Sequence, residues 1–240
     1  MATLSVRTIA ASCLDRHGTL SVKRHVFGVY GSNNQTRSLR HQLGLIQSKP
    51  FIRLAIVTVR PVGSTAGQYQ NLQRDLDVVN EVWQRDCDAW IYCAASIVEV
   101  TNLLGANGIL NQNACPLGVQ ANPTGEEDAL FDLGRAAGAD VVGYYIGGST
   151  NPGLGGCSAY PQGRRGFWAG FNTSQNMFGH ELTHVVGLNP HPANDNQVPD
   201  TDQDNLMWPT PGAITNPPPD LRTVQRNRIR GDNAVESCAP

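Results

Sequence analysis

The chain has 240 residues, 40% of them hydrophobic and 16% charged, with a formal net charge of −2. That length can bury one sizeable core, and the scattered Lys and Arg form no basic face for nucleic acid or an anionic membrane surface, so neither is expected as a partner. No apolar run reaches the roughly 20 residues that span a bilayer, and the opening MATLSVRTIAASCLDRHG has no apolar signal-peptide core.

Residues 1–49 contain alternating patches such as TLSVKRHVFGVY and a polar GSNNQTRS turn, which predict an added hairpin or a pro-segment. FIRLAIVTVR sets Ile52, Leu54 and Ile56 against Arg53, Val57 and Val59 and ends in turn formers, the pattern of a sheet strand. Tyr69, Leu72, Leu76, Val79 and Trp83 then recur at three- and four-residue steps, predicting an amphipathic helix over 68–85. WIYCAASIVEV (90–100) predicts a second strand. EEDALFDLGRAAG predicts a short helix with acids in its first turn and Gly138 as its stop. The apolar run Val141 to Ile146 suits a strand buried on both faces, and GFWAGF, after a Gly-rich loop, predicts a short edge strand. A helix follows over 175–186, capped by Ser174 with Phe178, Leu182 and Val185 facing the core. Beyond residue 188 the chain turns Pro-, Asn- and Asp-rich until DLRTVQRNRIR, a final helix capped by Asp220. This order predicts an α/β upper lobe over 50–188 and a loop-rich lower lobe over 189–240.

Six cysteines (Cys13, Cys87, Cys93, Cys115, Cys157, Cys238), with no C-x-x-C pair, predict disulfides and therefore a secreted, oxidising setting, reached with a leader removed or by another export route.

The stretch FGHELTHVVGLNPHP (178–192) carries the chemistry. His180 and His184, four residues apart on one helix, stand on adjacent turns and can reach a single zinc ion. Glu181 is offset around the helix, beside the ion's open position, where a carboxylate can take a proton from water. The alternative is a buried helix with two structural histidines beside an ion-paired glutamate. After His41, every histidine in the chain lies between 180 and 191, which favours the metal.

HELTHVVGLNPH together with DNLMWP (204–209) resembles the metzincin clan of zinc endopeptidases, whose signature is H-E-x-x-H-x-x-G-x-x-H followed by a methionine-containing turn. The resemblance covers residues 50 to 240. It implies an α+β fold: a twisted mixed sheet with a backing helix and an active-site helix above a cleft, and an irregular lower lobe ending in a helix. It also implies His180 and His184 as ligands, Glu181 as general base, Gly187 where the helix breaks and Met207 beneath the metal. The clan's third ligand position is here Pro190, which cannot ligate, and His191 follows one residue later. Gly187 lets the chain turn sharply, so the extra residue can be taken up as a bulge and His191 is the expected third ligand, with Asp195 as the fallback.

An extended peptide or protein substrate is expected to pair with Gly166, Phe167, Trp168, Ala169 and Gly170 as the edge strand, with Trp208, Pro209 and Thr210 walling the specificity pocket. The acidic run Asp200, Asp202, Asp204 departs from an EF-hand, with Asn205 where glycine is needed and Pro211 at position twelve, leaving a looser Ca2+ site or a solvated loop. The reading is thus a monomeric zinc endopeptidase. The competing classes are an inactive docking module on the same scaffold and a zinc hydrolase of a non-peptide amide.

Overall fold

The computed structural model describes residues 7–8, 50–60, 68–87, 89–100, 103–104, 108–116, 118–135, 139–187, 202–215 and 218–235. In chain order these form β1 (Arg7–Thr8), β2 (Phe51–Arg60), α1 (Gln68–Val82) running into a π turn (Trp83–Cys87), and β3 (Trp90–Val100). There follow β4 (Ile109–Leu110), β5 (Val119–Gln120), α2 (Gly125–Leu133), β6 (Val141–Ile146), β7 (Gly148–Ser149), β8 (Gly156–Cys157), β9 (Tyr160–Pro161) and β10 (Gly166–Gly170). Last come α3 (Met177–Val185), a 3-10 turn (Pro211–Ala213) and α4 (Thr223–Gly231).

Six strands make one mixed sheet in the order β1-β3-β2-β6-β10-β8. β3, β2, β6 and β10 run parallel; β1 and β8 close the two sides antiparallel. The side-chain period of two divides each strand between two cores. Ile52, Leu54, Ile56, Tyr145 and Phe167 face α1 and α3, while Val57, Val59, Tyr144, Ile146 and Trp168 meet Leu130 and Phe131 of α2. This is the expected α+β arrangement, with a backing helix (α1) and the helix bearing the HELTH motif (α3) on one face.

Long-range bonds join α1 and its π turn to α3 and the segment before it: Trp83 Nε1 donates to Thr183 Oγ1 (3.2 Å), Asn71 Nδ2 to the Phe171 carbonyl (2.9 Å) and Arg74 to the Thr173 carbonyl (3.2 Å). The π turn receives the C-terminal segment. Asp86 Oδ2 accepts the Leu221 N–H at 2.8 Å, and Arg85 donates to the Pro219 carbonyl at 2.6 Å. Leu206, Met207, Leu221 and Ile229 thereby complete the α1/α3 core. Among the described residues the disulfide Cys115–Cys157 ties the loop after β4 to β8, and Cys87 is a buried free thiol. Among the described residues no helix is long and apolar enough to cross a membrane.

Several local expectations are corrected. GFWAGF is not the sheet edge: β10 lies between β6 and β8, pairing Trp168 with Cys157 and Ala169 with Gly156, and all five of its residues are buried. The edge is β8, two residues of a Gly-rich segment. α2 ends at Leu133, before Gly134, and Gly138 lies outside the described residues. The cap position of α3 is Asn176, without a side-chain cap bond; Ser174 Oγ instead accepts the Asn176 N–H and donates to the Pro211 carbonyl. α4 begins after Arg222, whose N–H is taken by Gln225 Oε1 (2.8 Å), while Asp220 runs beside Asn205 in an extended bridge. Apart from β1, the segment 1–49 lies outside the described residues, as does 188–201, where the expected lobe boundary falls.

Candidate metal centre and cleft

α3 is buried over Phe178–Val185 and so sets its polar residues into protein, not solvent. His180, Glu181 and His184 are 2%, 6% and 5% exposed. The two imidazoles stand edge to face, with their Nε2 atoms 3.1 Å apart. His180 Nδ1 lies 2.8 Å from the Leu206 carbonyl, which can only accept, so Nδ1 carries the proton and Nε2 presents its lone pair towards His184. Two nitrogens bonded at roughly 2.0–2.1 Å to one tetrahedral ion stand about 3.3 Å apart, so this pair fits a zinc ion as part of its donor set. Such a backbone-anchored imidazole is also the usual outer support of a metal-ligating histidine.

Among the described residues no group of three His, Cys, Asp or Glu suited to a metal forms. His191 and Asp195 lie in 188–201, outside the described residues. The chain reaches that segment through Gly187, whose φ of +74° is costly for any side chain. Arg165 secures this exit, donating to the Val185 carbonyl (2.6 Å) and to Asp232 (2.7 Å). Of the acidic run, Asp202 accepts from Arg222 and Asp204 from Thr215, and Asp200 lies outside the described residues.

Burial pushes the Glu181 carboxyl up to about 8, offset in part by the neighbouring Ser158 hydroxyl. Glu181 fits because its strand neighbour is glycine: a methyl carbon on Gly156 would stand 2.7 Å from Glu181 Cγ. β8 therefore passes directly over Glu181.

His180, Glu181 and His184 line one cavity of about 230 Å3. Its other walls are Gly153 to Gly156 of the edge segment, Met177, Cys115, and Pro209 with Pro211. Of the expected pocket residues, Pro209 is present, whereas Trp208 and Thr210 do not line it. Met207 is buried in the turn after Asn205, packed in the α1/α3 core. Sequence reasoning missed the edge-segment glycines, Met177 and Pro211. Only the density of glycine in GLGGC hinted at a close approach.

Compared with known protein families and curated proteins, the sequence matches none. The fold is similar to the crystal structure of metalloproteinase-II from Bacteroides fragilis, with a TM-score of 0.51 at 11% identity, covering 76% of this chain and 53% of that one. The chain thus spans about half the length of that protein, and the likeness is one of fold.

Proposed function

We propose that the chain is a monomeric zinc-dependent endopeptidase, acting on peptide or protein substrates in an oxidising, extracellular setting. The observation that carries the reading is the approach of the His180 and His184 Nε2 atoms to 3.1 Å, with Glu181 beside them in the wall of one cleft. The metalloproteinase fold and the Cys115–Cys157 disulfide support it.

His180 and His184, with His191 or, failing it, Asp195, would hold the ion. When bound, zinc would supply Lewis acidity towards a scissile carbonyl and a water in the cleft. Glu181, whose carboxyl the charge of a bound ion would return to the ionised form, takes the proton of the attacking water on its carboxylate and passes it to the leaving amine nitrogen, so the carboxylate is regenerated in each cycle. The Leu206 carbonyl holds His180 in the tautomer that leaves Nε2 available. An extended substrate would lie along the outer side of β8, where backbone hydrogen bonds give sequence-independent affinity. A side chain of the substrate would enter the cavity between Met177, Pro209 and Pro211.

Zinc content by mass spectrometry and casein digestion, measured on the parent, Glu181→Ala and His191→Ala, test this. One zinc with digestion in the parent, zinc without digestion in Glu181→Ala, and loss of both in His191→Ala are expected. A parent without zinc overturns the reading in favour of a docking module. Zinc with cleavage of non-peptide amides alone moves the substrate class, and retained zinc and activity in His191→Ala moves the third ligand to Asp195.

A further inference from the structure

Asn205 and Gln225 have no part in the chemistry above, yet they are 0% and 3% exposed. Their amides form a reciprocal pair: Asn205 Nδ2 donates to Gln225 Oε1 at 2.9 Å, and Gln225 Nε2 donates to Asn205 Oδ1 at 3.1 Å. Each oxygen also takes a backbone N–H, Asn205 Oδ1 from Met207 (2.9 Å) and Gln225 Oε1 from Arg222 (2.8 Å). The same turn is held again by the Leu206 N–H to the Asp220 carbonyl (2.8 Å) and the Trp208 N–H to the Asn205 carbonyl (3.0 Å). At its centre is the Leu206 carbonyl, which receives His180 Nδ1–H at 2.8 Å.

The exchange between the two amides is by itself close to neutral for stability, whereas their oxygens also satisfy the Met207 and Arg222 N–H groups, which apolar replacements would leave unpaired. What amides add is direction. The Asn205 amide, held by Gln225 and closed onto the Met207 N–H, ties together the residues on both sides of Leu206, and with them the direction of a carbonyl that an apolar contact would leave free to tilt. We infer that the Asn205–Gln225 amide pair is a positioning device for His180, holding the Leu206 carbonyl so that the imidazole keeps its proton on Nδ1 and its Nε2 turned to His184. This rests on the metal-site reading proposed above.

Outer partners of metal-ligating histidines are typically worth about 10- to 100-fold in affinity. Zinc affinity of the full chain, measured by competition with a chelator of known affinity, is compared for the parent, Gln225→Met, and Asn205→Leu combined with Gln225→Met. Tyr144→Phe is the control. It removes the Tyr144 hydroxyl bond to the Phe131 carbonyl on the other face of the sheet and tests stability loss alone. Both amide variants should bind zinc about 10- to 100-fold more weakly, with Tyr144→Phe at the parent value. In metal-free protein, the nitrogen NMR signals of His180 should move from the single Nδ1–H form towards a tautomer mixture in the amide variants only. Should the apolar variants fail to fold, Gln225→Glu, which keeps both accepted bonds and loses the one donated, should still weaken zinc by about tenfold. Parent-like affinity and a parent-like His180 signal in the folded variants overturn the inference while leaving the metal site intact. A parent that binds no zinc instead overturns the metal-site reading, and this inference with it.

Discussion

Gly156→Ala separates the position of Glu181 from the stability of the fold. The added methyl carbon would stand 2.7 Å from Glu181 Cγ, 2.9 Å from Oε1 and 3.1 Å from Cδ. Carbon atoms in contact settle at about 3.5–4.0 Å, so the glutamate must retreat by about 0.8 Å or more. Oε1 and Cδ belong to the outer part of the side chain and Cγ to its middle, and Gly156 is not among the glycines with positive φ, so the fold yields at about 1–3 kcal/mol, the usual range of overpacking costs. The general base proposed above has no such latitude, since a misplacement on the order of 1 Å costs on the order of 100-fold in rate. With a quenched fluorescent peptide, kcat/KM should fall about 100-fold. Zinc content should be unchanged, because neither His180 nor His184 is among the atoms met. A folded, zinc-replete variant with kcat/KM within about twofold of the parent would refute the assignment of Glu181 as the base beneath β8.

Two further outcomes concern stability. Burial raises the Asp75 carboxyl to about 6 against hydrogen bonds from Arg74 and Tyr145. Between about pH 4 and 6 the folded state keeps a proton that the unfolded chain has released, so stability is full below about 4 and declines by about 3 kcal/mol as pH rises through 6. Asp75→Asn should flatten that part of the urea-midpoint profile, and an unaltered profile would assign the slope to other groups. The Cys115–Cys157 disulfide spans a sequence separation of 42, for which chain entropy gives about 4 kcal/mol. Cys115→Ala with Cys157→Ala should lower stability by roughly 2–4 kcal/mol and slow peptide cleavage by loosening β8. An unchanged unfolding midpoint would show that the edge is held by its other bonds.

The sequence displayed the elements that have a period: β2, α1, β3 and β6 each repeat apolar residues over six positions or more, and the structure forms them where that repeat lies. It was silent where a contact between distant segments decides. β8 is two residues of a glycine-rich loop and has no period, so the sequence points to the longer apolar stretch GFWAGF as the edge in its place. The Thr124 cap of α2, by contrast, was there to be read: Thr124 and Glu127 have the capping-box spacing and exchange both bonds. At the site, the spacing of His180, Glu181 and His184 was legible because a helix converts spacing directly into direction. The glycine that admits Glu181 and the amides around Leu206 were not, since each depends on a partner 20 or more residues away.

The π turn at the end of α1 also bears on the order in which the molecule is made. Through it, Asp86 meets Leu221 across 135 residues of sequence. Contacts of such separation are made late, because the intervening chain must first be closed into a loop. β2, α1, β6, β10 and α3 can assemble without the C-terminal segment, and His180 would then lack its carbonyl partner. Refolding followed by stopped-flow zinc uptake should therefore show metal competence lagging behind the burial of Trp83, with docking of the C-terminal segment as the step that turns a folded sheet into a functional one.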